Sequence, residues 1–345
     1  MKVAAYYGNR DVRLEERPVP TVGGGELLMR IEASGICGSD VMEWYRLPKA
    51  PVVLGHEVAG VVVESGEGVK RFEPGDRIVT THHVPCNACR YCKSGRHAVC
   101  ETLRSTSFDP GGFSELVRLP AINVERGTFA LPEEVGFEEA TFVEPLACVI
   151  RALRLSRLRP GDGVAVLGSG ISGILMIQLA RYLGAGRIVA TDVASWRLDA
   201  AIRFGADFAL PAAGPDSTEQ LFALNEGRGY EQVLVCTSAR AAIEQALEIA
   251  DLGGTVLYFA PLDPGETMSL DMNDLWRRGI NIIHSYAGPP ADMRAALDLL
   301  AAGRIDVASM ITHRLPLAET GEGFRLMLEE PEALKIIISP QQRGS

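Results

Sequence analysis

The sequence has no apolar leader, no unbroken hydrophobic run long enough for a membrane, no excess of positive charge, and no repeat or low-complexity tract. Each absence excludes something. The first residues carry Lys2, Arg10, Asp11, Arg13, Glu15, Glu16 and Arg17, so they lack the apolar core of a secretion signal. The longest apolar run, Val164 to Ala180, is broken by three glycines, two serines and a glutamine. It is a little short of a spanning helix and reads as a strand followed by a helix. Together these features predict a cytoplasmic, reducing setting. The seven cysteines are then expected to be thiols or metal ligands rather than disulfides. With 34 Lys and Arg against 44 Asp and Glu, the net charge is −10, which opposes a nucleic-acid partner.

What is present is an ordinary globular composition, 47% apolar and 23% charged, in 345 residues. At about 100–200 residues per domain, that length suggests two domains. Up to about residue 150 the pattern is β-rich. Val61–Val63, Arg77–Thr80 and Leu116–Leu119 read as short strands between the turn signals Gly23-Gly24-Gly25, Glu73-Pro74-Gly75-Asp76 and Asp109-Pro110-Gly111-Gly112. From about 160 to 288 strands alternate with helices. The candidate strands are Val164–Leu167, Ile188–Thr191, Asp207–Leu210, Gln232–Cys236, Thr255–Phe259 and Asn281–Ser285. Alternation of this kind predicts an α/β fold with a doubly wound parallel sheet. A helix, Ala291–Ala302, follows, and then short strand-like segments ending in Lys335-Ile336-Ile337-Ile338. This tail is too small for a domain and is expected to return to the first one.

Gly168-Ser169-Gly170-Ile171-Ser172-Gly173 fits a dinucleotide-binding turn, with an apolar strand before it and a helical pattern after it. Gly168 permits the tight turn, Gly170 lets backbone approach a pyrophosphate, and Gly173 lets helix and strand pack closely. The amides opening the helix at Ile171 and Ser172 then face the phosphates. Asp192, at the end of the next strand, is placed to accept hydrogen bonds from a ribose, which favours NAD. Arg197 offers a guanidinium to a 2′-phosphate, which keeps NADP open.

Cys86, Cys89, Cys92 and Cys100 have the spacing C-x2-C-x2-C-x7-C. Four thiolates suit a closed, tetrahedral structural zinc, and an iron–sulfur cluster takes the same donors. A second set, Cys37, His56-Glu57 and Glu144, is dispersed, and its spacing alone says little.

Gly55-His56-Glu57-x-x-Gly60-x5-Gly66-x2-Val69 resembles the signature of zinc-containing alcohol dehydrogenases of the medium-chain dehydrogenase/reductase superfamily. Cys37-Gly38-Ser39-Asp40, the cysteine lobe, Glu144-Pro145-Leu146, the glycine turn and Asp192 follow in that family's order, over nearly the whole chain. Sorbitol (polyol) and threonine dehydrogenases are the branch most similar at these places. The resemblance implies a GroES-like β-barrel catalytic domain, residues 1–149 and 290–345, with a zinc lobe at about 84–102. A Rossmann cofactor domain, 150–289, would lie between, with the site in the cleft. It implies catalytic zinc on Cys37 and His56, with a carboxylate from Glu57 or Glu144, and Ser39 as the hydroxyl that relays the substrate's proton. Trp44, His83 and Phe108 are candidate pocket walls, and His82 reads as a bland loop histidine. Where sorbitol and threonine dehydrogenases often carry a relay histidine this chain has Met42, so cofactor ribose and water are the alternative exit. The implied activity is NAD-dependent oxidation of a secondary alcohol of a polyol, sugar or amino-alcohol. Threonine or a small diol is the alternative substrate, and a zinc-free reductase or binding protein on the same fold the more distant one. The partner is a small-molecule alcohol, and a homo-oligomer, dimer or tetramer, is expected.

Overall fold

In the computed structural model, which describes residues 1–214 and 216–342, the β-rich first part forms eight strands. They are β1 (Lys2–Gly8), β2 (Asp11–Glu16), β3 (Leu27–Gly35), β4 (Val52–Val53), β5 (Glu57–Ser65), β6 (Arg77–Thr80), β7 (Leu116–Leu119) and β8 (Thr128–Ala130). β3 pairs antiparallel with β5 over almost its whole length, from Leu27 opposite Ser65 to Gly35 opposite Glu57. Leu27, Met29 and Ile31 alternate along β3 and point inward. They pack with Val58, Val62, Phe72, Ile78, Phe108 and Val117, the period-2 burial that fixes strand register.

The alternating middle of the chain forms six parallel strands, β9 (Val164–Leu167), β10 (Ile188–Asp192), β11 (Phe208–Pro211), β12 (Tyr230–Val235), β13 (Ala250–Tyr258) and β14 (Asn281–His284). Their order is β11-β10-β9-β12-β13-β14, with every pair parallel. This order reverses beside β9, the switch point at which doubly wound sheets bind ligands. All four residues of β9 are buried, as expected for a strand covered on both faces. The helix that follows β9 spans Ile171–Tyr182 and the one after β10 spans Ser195–Arg203.

After Pro290–Ala301, a helix, the chain adds β15 (Ile311–Pro316) and β16 (Lys335–Ser339). These join the first sheet, in the order β15-β16-β3-β5-β6-β8, with β7 paired to Leu27–Arg30 of β3 on the edge that β16 uses at Ser34 and Gly35; β2-β1-β4 is a separate small sheet. The chain thus divides into two compact units, Met1–Ala147 with Ala287–Ser345, and Cys148–Tyr286. Among the described residues no helix is long and apolar enough to cross a membrane.

Candidate metal and cofactor sites

The four cysteines of the lobe converge. Their sulfurs lie within 4.8 Å of one another, with Cys89–Cys92 at 3.5 Å and Cys86–Cys100 at 3.6 Å. The backbone folds so that amides point at sulfur: Ala88 and Cys89 donate to Cys86 Sγ, Cys92 to Cys89 Sγ, and Cys86 to Cys100 Sγ. Such donors favour thiolate over thiol. The Ala88 and Cys89 amides hold Cys86 below the usual thiol range. Burial nevertheless pushes Cys92 up to about 12. Four sulfurs this close, with backbone amides aimed at them, form a donor set that fits a structural metal.

The second set begins where β3 ends. Cys37 precedes a short turn, Gly38–Val41, its Sγ accepting from the Ser39 amide at 3.4 Å while Asp40 Oδ2 accepts from the Cys37 amide at 3.1 Å. His56 stands immediately before β5. It is held there by Gly55, whose φ of +91° and contact with the backbone of Gly112 and Phe113 leave no room for a Cβ. Donor atoms of Cys37, His56 and Glu57 lie within 4.8 Å of one another. Asp40 is fully buried, and its Oδ1 is 3.4 Å from His56 Nδ1. A carboxylate on Nδ1 leaves Nε2 as the nitrogen for a ligand, the arrangement usual behind a metal-ligating histidine. Against the penalty of burial, Asp40 and Cys37 raise the His56 pKa well above its ordinary value. A cation, whether proton or metal, is therefore favoured at this imidazole. Asp40→Asn is expected to weaken metal binding here by about 10–100-fold, read by competition with a chelator.

Glu57 is paired with Lys335 of β16, and both side chains are buried. A Cβ on Gly35 would collide with both groups, so the glycine makes their room.

Glu144 groups differently. Its carboxylate lies with His82 and His83, the donor atoms again within 4.8 Å, and Glu144 Oε1 is 3.9 Å from His83 Nδ1. The rings of His82 and His83 are 3.7 Å apart, and His82 is 4.8 Å from the His56 ring. The two clusters are therefore contiguous through His82, a half-buried loop residue whose ring lies between those of His56 and His83. Burial lowers His82 well below the ordinary histidine range and His83 to about 3, so both are neutral at pH 7 and one ring nitrogen of each keeps its lone pair. Phe108 belongs to the core of its unit, with its ring edge-on to His82 at 6.2 Å. Trp44 is 41% exposed and lies against Tyr45.

In the second unit Gly168 turns at φ +95°, and a Cβ on Gly173 would strike the Gly168 carbonyl. Gly170 caps the helix that begins Ile171-Ser172 and has open space where a Cβ would be, the cradle a phosphate needs. Asp192 ends β10. Its Oδ2 accepts from the Ser169 amide at 2.8 Å and its Oδ1 from Ala194 at 3.0 Å, so the carboxylate is fixed beside the turn. Arg197 Nε is buried without a hydrogen-bond partner among the described residues. An open cradle, a fixed carboxylate and an orphaned guanidinium nitrogen together fit a dinucleotide.

Residues 23–132 match the family "Alcohol dehydrogenase GroES-like domain" and residues 172–302 the family "Zinc-binding dehydrogenase". The chain is 33% identical to a sorbitol dehydrogenase of Gallus gallus over 340 residues, covering 95% of this chain and 93% of that one. It is 31% identical to an L-threonine 3-dehydrogenase of Bacillus licheniformis over 343 residues, covering 96% of each. A solved zinc-binding dehydrogenase from Sinorhizobium meliloti 1021, bound to NADP, superposes with a TM-score of 0.88 at 28% identity, over 98% of this chain and 99% of that one. With both units matched, the chain belongs to the zinc-containing alcohol dehydrogenases of the medium-chain dehydrogenase/reductase superfamily and is a zinc-dependent alcohol or polyol oxidoreductase.

Proposed function

We propose that this protein oxidises the secondary alcohol of a polyol, sugar or amino-alcohol to a ketone, with NAD as hydride acceptor. The observation that carries this reading is the Cys37–His56–Glu57 trio with buried Asp40 behind His56. Thiolate, imidazole and carboxylate form the three-donor set of a metal that keeps one position open for substrate. In this reading Cys37 and His56 hold the catalytic zinc, with the carboxylate of Glu57 or Glu144, and the four-cysteine lobe holds the structural one. Bound there, zinc supplies the Lewis acidity that makes an alcohol hydroxyl easier to deprotonate, and the nicotinamide ring supplies the hydride acceptor.

The chain's own residues do the rest. Asp40 orients the His56 ring. Ser39 Oγ accepts the substrate's hydroxyl proton while its own proton passes to water. With the hydride leaving the carbinol carbon, the balance is alcohol plus oxidised cofactor to ketone, reduced cofactor and one proton. His83 lines the substrate pocket with Trp44, and Phe108 backs it through His82. The amides after Gly170 bind the pyrophosphate and Asp192 the adenosine ribose.

An NAD-coupled screen of polyols, sugars, threonine and small diols, followed at the absorbance of NADH, tests the reading. Turnover of none of these classes by zinc-loaded protein would end it. The match to an L-threonine 3-dehydrogenase makes threonine the second reading, and the same screen separates the two. Asp192→Ala should raise the KM for NAD by about 10- to 100-fold, the worth of a charge-assisted hydrogen bond. It should also narrow the gap to NADP, because a 2′-phosphate would no longer meet a carboxylate. An unchanged NAD/NADP ratio would remove Asp192 from the ribose site.

A further inference from the structure

We infer that Arg46 is a positioning residue for the Ser39 hydroxyl, and that proton transfer through Ser39 depends on it. The inference rests on the reading of Ser39 as the group that takes the substrate's proton. Arg46 ends the short helix Glu43–Arg46, seven residues after Ser39. Its Nε donates to the Ser39 carbonyl at 2.9 Å and its Nη2 to Ser39 Oγ at 2.9 Å, so the planar fork grips both ends of one residue. Nη2 also reaches Asp40 Oδ1 at 3.3 Å, the oxygen that faces His56 Nδ1.

A guanidinium has donors and no acceptor. Toward Arg46, Ser39 Oγ can therefore only accept, and the one hydroxyl proton must point elsewhere. The remaining lone pair of Oγ is the one that can take the substrate's proton, so Oγ carries one proton before and after the step. A fixed cation 2.9 Å from Oγ also offsets the negative charge that builds on it as its own proton departs. Met42, the neighbour on the same segment, is a thioether and offers no base. The side chain of Arg46 is only 12% exposed, and its guanidinium lies 4.5 Å over the Tyr45 ring. It is thus ordered by its own surroundings before substrate arrives.

The test is a double-mutant cycle on zinc-loaded enzyme. Arg46→Ala should lower kcat by about 10–100-fold, the cost of a misplaced reacting group. The solvent isotope effect on kcat should rise as proton transfer slows, while zinc content and the KM for NAD hold. In a Ser39→Ala background the same change should cost almost nothing further. Arg46→Lys, which keeps the charge but loses the fork, should fall between wild type and Arg46→Ala. Added guanidinium chloride, below denaturing levels, should restore part of the Arg46→Ala loss but none of the double variant's. An equal loss in both backgrounds, or full activity of Arg46→Ala, overturns the inference while leaving Ser39's role standing. Full activity of Ser39→Ala removes that role, and this inference with it.

Discussion

Replacing His56 with alanine is expected to abolish turnover while NADH binding stays nearly intact. His56 belongs to the unit built on β3 and β5, and the glycine turn and Asp192 belong to the other unit, which has its own core around Val233, Val235 and Ile243. Loss of the imidazole removes a donor from the Cys37–His56–Glu57 set and leaves Asp40 buried without its histidine partner. Metal-assisted activation of the hydroxyl is worth several kcal/mol, so the fall in kcat should be about 10³-fold or more. Fluorescence titration with NADH should give an affinity close to wild type. Metal analysis should find one zinc per chain, held by the cysteine lobe, in place of two. A parallel loss of cofactor affinity and turnover would refute this division of labour.

Lys335→Met is expected to destabilise the protein strongly. The change strands the Glu57 carboxylate, 1% exposed in the native fold, without its cation. Breaking one side of a buried pair costs about 3–5 kcal/mol, mostly the penalty of an uncompensated charge. Urea unfolding of the apoprotein should register that loss. Adding Glu57→Gln to Lys335→Met should restore most of it, because the pair as a whole is worth far less than either half alone is costly. A single variant as stable as wild type would mean that Glu57 is neutralised by something other than Lys335.

The parts of the fold and site legible in the sequence are those in which cause and effect lie close along the chain. The glycine turn, the strand before it and the helix after it form one local unit. The C-x2-C-x2-C-x7-C spacing brings four sulfurs together within fifteen residues. The parallel strands also stand where apolar runs predicted, apart from their edges. β13 starts at Ala250 rather than Thr255, because Gly253-Gly254 reads as a turn and hides the strand on its far side. Beyond the tail's return to the first sheet and the grouping of Cys37 with His56 that the family resemblance implied, contacts over long separations were not legible. Lys335 opens an apolar strand, a position where a lysine is normally solvated, yet it is buried against a residue 278 positions earlier. His82 and His83 are neighbours, and strand alternation would send them to opposite faces. The strand stops at Thr80, and their rings meet instead. Arg46 gave no signal, because a fork onto Ser39 depends on how a short turn and a one-turn helix fold back on each other.

The register of β16 against β3, Ile337 opposite Gly35 and Ile338 opposite Ser34, delivers Lys335 to Glu57. During synthesis Cys37, His56 and Glu57 leave the ribosome early, whereas the ammonium that balances Glu57 is made nearly three hundred residues later. Residues near the two ends of the sequence thus share one centre, and the ammonium of Lys335 offsets the charge that Glu57 brings to it beside Cys37 and His56.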